Sequence, residues 1–498
     1  MGQATLVVAI LAYTAVISRL LDPATFGVYA LATLVVWFMD YFARMGLASA
    51  IVQKPELTDT DVRAASTAGI VLGLGCCALT WVVAPLFAAA FHMPALTHVM
   101  RVLGVGFVFE GWSMTGMGLF IRQLRFRELS IITTGTYMLG YLVVGVSLAA
   151  AGAGVWSLVA GVLVSNASQA VWQYAKLRHP IRPVVTWGPY AGVCGYGARL
   201  SGTHLIDYLC SNLDTLVVAR VFPSAVLGQY NRGYSLAFNP IGYHVAQAST
   251  NVVFSSLSRI QEDLGRLRRV YLSGLTVVAV ILFPVCAGMS VAATELVRTV
   301  LGSQWGLAVG LVPWFAFGAG FAVLSKLSRA VAEARAELNR SLAAQGVQLA
   351  VLGTLLLLSA GAGQLWLFAA SVAIGEFARL LAYLALMRRI LALRLPDVAR
   401  ALMPAVLGSV AVALFVAGIR QAFLAWAPTV VVFAAEVVAG AVALALCLRL
   451  GPMREARAEL ARRLDDAGML GRQGGLRRRL ATAMVGPVAS AVSQARES

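Results

Sequence analysis

Long apolar runs follow one another along this chain, separated only by short polar breaks, from the first residues to about residue 450. A helix that crosses a bilayer needs about 20 mostly apolar residues, and each run has that length. Charged residues make up 12% of the sequence, against about 25% in a soluble globular domain. Since only helices and closed barrels satisfy their backbone groups in lipid, these runs predict an all-α polytopic membrane protein.

The runs, and the Pro, Gly and charged residues that interrupt them, predict about fourteen spans. The eighth run contains Pro240 and is therefore expected to be bent or partly unwound. The first run has no basic segment before it and no small-residue cleavage site after it, so it is interpreted as a span rather than a secretory signal. The spans lie near 4–20, 28–52, 63–90, 96–120, 129–150, 154–175, 195–220, 225–256, 267–293, 306–330, 340–360, 364–387, 401–419 and 427–449.

The arginines and lysines predict the orientation, because short cytoplasmic loops collect basic residues. Connections that follow odd-numbered spans hold at most one such residue. Connections that follow even-numbered spans hold two or more, at Lys54 and Arg63; Arg122, Arg125 and Arg127; Lys176, Arg178 and Arg182; Arg259, Arg266, Arg268 and Arg269; Arg335 and Arg340; and Arg388, Arg389 and Arg394. Both termini are therefore predicted to face the cytoplasm.

The formal net charge of +17 does not predict a nucleic-acid partner. The basic residues lie between apolar runs and in the tail rather than on a soluble face. The tail, 451–498, is expected to lie against anionic membrane lipids, with a specific protein partner as the alternative.

Six cysteines fall inside apolar runs, without CxxC spacing and without a histidine at metal-ligand spacing, so they are interpreted as small buried hydrophobic residues. Neither a metal site nor a cofactor is predicted. These cysteines are Cys76, Cys77, Cys194, Cys210, Cys286 and Cys447.

An internal repeat joins the ends of the first and seventh spans. Arg19 and Arg220 begin the two copies, each is followed by a nearby proline, Gly27 and Gly228 come at the same offset, and a tyrosine stands two residues after each glycine. Inverted or parallel repeats of this kind are common in transporters. Together with Pro240, these four residues are the candidate hinge positions.

The repeat predicts two pseudo-symmetric six-helix lobes around a central cavity. The N-terminal lobe is expected at 1–180 and the C-terminal lobe at 190–390. Two additional transmembrane helices follow at 400–450, before the basic cytoplasmic tail.

Several short segments along the first 310 residues have the order and spacing of a known family. They are Arg19 to Tyr29, Gly46 to Lys54, Arg125 to Leu129, Asn212 to Arg220, Gly228 to Tyr234 with Pro240, Leu257 to Gln261 and Gly302 to Trp305. Together they resemble the Wzx-type polysaccharide flippases of the multidrug/oligosaccharidyl-lipid/polysaccharide exporter superfamily. The resemblance implies export of undecaprenyl-pyrophosphate-linked oligosaccharide repeat units across a bacterial inner membrane, by alternating access, for exopolysaccharide, capsule or O-antigen synthesis. It also implies membrane lipids, a polysaccharide polymerase and the export machinery as partners.

Ionisable groups inside spans are costly unless they are paired or hydrated, so each is a functional candidate. Arginine binds phosphate in a planar, bidentate way and stays charged, which makes Arg44, Arg199 and Arg232 the candidate pyrophosphate ligands. The alternatives are a local pair with Asp40 for Arg44 and snorkelling towards the interface for Arg199. A pair with Glu376 is equally expected for Arg379.

Three carboxylates are candidates for proton coupling. Asp207 and Asp214 lie two turns apart on one helix face, and Asp40 lies in the second span. A carboxylate among apolar helices can release and regain a proton as its surroundings change. A structural hydrogen bond to a neighbouring helix is an equally good interpretation of each. The tryptophans near span ends, among them Trp305 and Trp314, are interpreted as interfacial belt residues.

The function is therefore predicted to be transport and not catalysis, with two alternatives. A polymerase or lipid-sugar transferase would need positioned catalytic groups in a sizeable outer loop, whereas every predicted outer loop is short. A drug or cation antiporter of the same superfamily would carry cationic cargo, whereas the intramembrane arginines favour an anion.

Overall fold

The computed structural model describes residues 2–44, 48, 51–52, 54, 56–180, 208–239, 263–335, 337–423 and 427–450. Their regular structure is helical, and each of the predicted spans overlaps a helix. The described helices of eight or more residues are α1 Gly2–Leu20, α2 Pro23–Arg44, α3 Asp59–Ala90, α4 Ala95–Arg122, α5 Phe126–Ala150, α6 Val155–Leu177, α7 208–221, α8 Ser224–Asn239, α9 Leu264–Val291, α10 Ala293–Val300, α11 Val312–Ala334, α12 Leu338–Ala362, α13 Leu365–Ile390, α14 Leu395–Phe423 and α15 Thr429–Leu450.

Ten of these helices are long and apolar enough to cross a membrane. Large apolar side chains are exposed on their surfaces, with Leu357 75%, Val82 68% and Leu414 68% exposed. Such surfaces are stable against lipid rather than water. The predicted class, an all-α polytopic membrane protein, is confirmed. The tail and the predicted bend at Pro240 lie outside the described residues.

Polar residues at the helix starts fix where spans begin. Thr58 caps α3 through a reciprocal pair of bonds with Asp61, whose carboxylate also lies 2.6 Å from the Lys54 ammonium. Asp263 caps α9 by accepting a hydrogen bond from the Arg266 backbone N–H at 2.9 Å. These caps satisfy backbone N–H groups that the first turn leaves without an intrahelical partner.

The chain divides into two compact units. The first contains residues 1–231 together with 300–305, and the second contains 232–299 and 306–498. The predicted lobe boundaries stay a prediction.

Small residues let helices approach closely in the first unit. A Cβ atom on Gly111 of α4 would overlap the carbonyl oxygen of Gly69 in α3, and one on Gly140 of α5 would overlap that of Gly161 in α6. Gly140 lies in a π-helical segment, Met138–Gly145. Close backbone approach of this kind replaces the hydrophobic effect as the source of helix association in lipid.

In the second unit α9 packs against α11 and α14, α13 packs against α11 and α12, and α14 packs against α15. Arg268 near the start of α9 and Asp397 near the start of α14 form an ion pair at 2.6 Å. At the other end of the same two helices, Val291 packs against a cluster that includes Val412 and Val416.

Replacing Thr58 by Ala should lower the free energy of unfolding by about 1 kcal/mol, the usual loss when an N-cap side chain is removed. Thermal unfolding of the purified protein in detergent measures this change. Thr58→Ser keeps the hydroxyl and should stay close to the parent. Equal losses for both variants would contradict a capping role.

Candidate functional site

The two copies of the repeat lie against each other within the first unit. A Cβ atom on Gly27 of α2 would overlap the carbonyl oxygen of Ser224, and one on Gly228 of α8 would overlap that of Pro23. Pro23 and Ser224 hold equivalent positions in the two copies, as do the two glycines. The crossing is therefore reciprocal, with each glycine receiving the first turn of the opposite copy.

Residues 300–305 join this crossing to α1. The Gln304 side chain donates to the carbonyl oxygens of Ser18 at 2.6 Å and Leu21 at 3.0 Å, and the indole N–H of Trp305 donates to Ser18 at 2.9 Å. The Gln229 side chain donates in turn to the Gln304 carbonyl at 2.7 Å. The carbonyls at the end of α1, which have no intrahelical partner, are thus satisfied by side chains.

The interpretation of Trp305 as an interfacial belt residue is wrong. Its side chain is 0% exposed and its ring meets Phe26 edge-on, with centroids 5.4 Å apart. It belongs to the core of the first unit, because its N–H has a carbonyl partner there. The hydrogen-bonding end of indole can be satisfied by protein as well as by headgroups and water.

Asp214 is 2% exposed in α7 and accepts a hydrogen bond from the Tyr230 hydroxyl at 2.6 Å. Tyr230 is the tyrosine of the second repeat copy. The same helix is tied to α2 through the Tyr208 hydroxyl, which donates to the Leu34 carbonyl. The structural hydrogen bond weighed from the sequence is present, while the proton-coupling role of Asp214 stays a prediction.

Arg232 is half-buried in α8, within the second unit. Two residues on, the Tyr234 ring stacks on Phe238 at 4.6 Å and meets Phe315 edge-on at 5.3 Å. Arg199 and Asp207 lie outside the described residues, and so do the side chains of Asp40 and Arg44. Of the three predicted pyrophosphate ligands, Arg232 is therefore the one whose side chain lies in the described part of the chain.

Two other intramembrane arginines are paired with carboxylates. Arg379 forms an ion pair with Glu376, and Gln348 of α12 bridges both by donating to Glu376 at 3.0 Å and accepting from Arg379 at 3.1 Å. Arg329 pairs with Glu333 one turn away at 2.6 Å. These pairs balance their own charges, which favours a structural role for them.

The basic connection after α4 also has defined partners. Arg122 donates to the Ile51 carbonyl at 2.9 Å. Arg125 donates two hydrogen bonds of 2.7 Å to the Glu128 carboxylate, and these bonds raise the pKa of Arg125. Within the part of the chain that the structure describes, no group of three His, Cys, Asp or Glu residues could hold a metal ion.

Apolar helices with glycine crossings and few, mostly paired, internal charges define a polytopic helical membrane protein. Its fold is similar to that of the lipid II flippase MurJ in an inward closed conformation, with a TM-score of 0.74 over 90% of this chain and 96% of that chain. The two sequences are 11% identical, so this likeness concerns the fold alone.

The chain belongs to the polysaccharide biosynthesis protein family, whose model matches residues 16–310. It is 27% identical over 296 residues to the lipopolysaccharide biosynthesis protein WzxC of Escherichia coli, and 24% identical over 293 residues to the succinoglycan biosynthesis transport protein ExoT of Rhizobium meliloti. The matches cover 58% and 59% of this chain, and the chain spans about 59% of the length of each relative. The predicted family resemblance is confirmed.

Replacing Gly27 or Gly228 by Ala should lower the free energy of unfolding by about 1–3 kcal/mol or more, because the added methyl group meets backbone atoms that cannot rotate away. Thermal unfolding in detergent measures the loss. Gly353→Ala is the matched control, since a Cβ atom there has nothing within 4 Å and Ala favours a helix over Gly. Unchanged stability of both crossing variants would contradict the close approach.

Proposed function

We propose that this protein carries oligosaccharide units linked to undecaprenyl pyrophosphate across a bacterial inner membrane, for exopolysaccharide, capsule or O-antigen synthesis. The observation that carries this proposal is the match of residues 16–310 to the polysaccharide biosynthesis protein family. The relative ExoT, named as a transport protein, and the fold shared with a lipid II flippase support it. Both termini face the cytoplasm in this proposal.

Transport rather than catalysis is favoured by two of the connections that the structure describes. Residues 91–94 join α3 to α4, and residues 151–154 join α5 to α6. A four-residue turn leaves no room for the large loop in which a polymerase or sugar transferase would position its catalytic groups. The polymerase and the export machinery are then partners of this protein, alongside membrane lipids.

The proposed cycle is alternating access of two lobes, 1–180 and 190–390. The candidate hinge positions are the repeat residues Arg19, Gly27, Arg220 and Gly228, together with Pro240. The close glycine crossing supports a hinge, because two helices that meet through backbone alone can rotate about the contact without repacking side chains.

The pyrophosphate is the part of the cargo least soluble in lipid, and we assign it to Arg44, Arg199 and Arg232. A guanidinium group supplies two parallel hydrogen bonds and a fixed positive charge. The half-buried position of Arg232 supports this assignment, since partial burial strengthens the attraction to an anion while leaving the group accessible.

Transport by Arg232→Ala should fall roughly tenfold to a hundredfold, the loss expected when charged hydrogen bonds to a ligand are removed. The measurement is the amount of lipid-linked repeat units on each membrane leaflet in a deletion strain that carries each variant at equal abundance. Arg388→Ala, which removes an exposed arginine, is the matched control. Normal outer-leaflet units in the deletion strain itself, with no other gene substituting, would refute the flippase proposal.

Proton coupling is assigned to Asp40, Asp207 and Asp214, and Asp214 offers a sharp test. Asp214→Asn should abolish the response of transport to the proton gradient, because the side chain no longer ionises. Tyr230→Phe removes the hydrogen bond of 2.6 Å but leaves the carboxylate, and should preserve that response. If both variants fail to the same degree and keep the same gradient dependence, Asp214 is structural.

A further inference from the structure

Three charged side chains meet at one end of the second unit, where α10, α14 and α15 come together. The Arg420 guanidinium near the end of α14 lies 3.1 Å from the Glu295 carboxylate in the first turn of α10. Glu436 lies in the second turn of α15, one turn before Gly440, which packs against Val416 one turn before Arg420. Two carboxylates therefore share one positive charge.

Helix packing sets the depth of this cluster. Gly440 of α15 packs against Val416 of α14, with a distance of 3.6 Å from an added Cβ atom to the valine side chain. The two helices run in opposite directions, so Arg420 and Glu436 each lie one turn from that contact towards the same end. Ala292, which packs into the same apolar cluster as Val416, brings Glu295 to this level.

Both carboxylates are removed from solvent. Glu295 and Glu436 are each 2% exposed, and the cluster lies beside the apolar side chains of Val412, Val416 and Ala443. Among the described residues, neither oxygen of Glu436 and only one oxygen of Glu295 has a hydrogen-bond partner. A buried ionised carboxylate with no partner is strongly unfavourable.

Within the part of the chain that the structure describes, no other buried charge lies on the helices around the pair. Arg298 of α10 is exposed, and the ion pair between Arg268 and Asp397 occupies the opposite end of α9 and α14. The sequence of α9 after Arg269 and that of α14 between Arg400 and Arg420 contain no charged residue, and Arg449 lies at the far end of α15.

We infer that Glu295, Glu436 and Arg420 form a site that binds one additional positive charge, a proton or an alkali-metal cation. Glu295 is the ionised partner of Arg420, because the guanidinium contacts it and the α10 N-terminus favours a negative charge. Glu436 then carries the bound cation on its unpartnered oxygens. The site joins α14 and α15 to α10 and depends on no assumption about the cargo.

The site is tested on the full-length protein in detergent, through the pH dependence of the melting temperature. In the unfolded chain a glutamate releases its proton above about pH 4.3. If folded Glu436 keeps its proton above that pH, the folding equilibrium constant falls about tenfold per pH unit until the folded carboxyl group ionises as well. Glu436→Gln should remove this part of the pH dependence and should melt higher than the parent at the alkaline end.

Glu376→Gln is the matched control, because Glu376 is a buried glutamate that already has Arg379 and Gln348 as partners. It should lower the melting temperature at every pH by leaving Arg379 without a counter-charge, and it should keep the pH dependence of the parent. If Glu436→Gln keeps the pH dependence of the parent and also keeps its response to sodium, the inferred site does not exist.

The two cations are separated by comparing sodium chloride with choline chloride at the alkaline end. Stabilisation by sodium in the parent but not in Glu436→Gln identifies an alkali-metal cation, and a response to pH alone identifies a proton. If Glu436→Gln does not fold, Glu295→Gln removes the same excess charge, and the infrared band of a protonated carboxyl group in the parent reports the proton directly. Absence of that band together with absence of a sodium response overturns the inference.

Discussion

A charge placed among apolar helices must be balanced inside the protein, because lipid offers neither water nor counter-ions. Most of the internal charges described here follow this constraint locally. Glu376 and Arg379 balance each other with Gln348 between them, Arg329 pairs with Glu333, and Arg420 contacts Glu295. Glu436 departs from this local balance, because it is buried and neither of its carboxylate oxygens has a hydrogen-bond partner among the described residues. That departure is the basis of the inferred cation site.

The class of fold follows from hydropathy, but the helix ends do not. The third and thirteenth spans begin earlier than predicted, at Asp59 and Leu395, because their first turns contain acidic residues that cap the helix rather than end it. The short helix α10 falls in a predicted break. Its charged residues Glu295 and Arg298 lower the mean hydropathy of any sequence window that is long enough to detect a span.

The site is less predictable because its contacts join distant parts of the chain. Trp305 and Ser18 are 287 positions apart in the sequence. A tryptophan near the end of a span has the same neighbouring sequence whether its N–H faces lipid headgroups or a backbone carbonyl. The repeat can be found in the sequence because its Arg, Pro, Gly and Tyr residues occur twice in the same order. That the copies touch each other is a fact of tertiary structure, and so is the ion pair between Arg420 and Glu295.

The reciprocal crossing of Gly27 and Gly228 has a consequence for how the two halves of the chain can change. Phe26 and Leu227, the residues before the two glycines, already differ between the copies. The glycines cannot diverge in this way, since enlarging either one pushes on the backbone of the other half. After a gene duplication, the residues around this contact could therefore change independently in the two copies, while the two glycines would stay. A chimaera made from two homologues should accordingly take both copies of the repeat from the same parent.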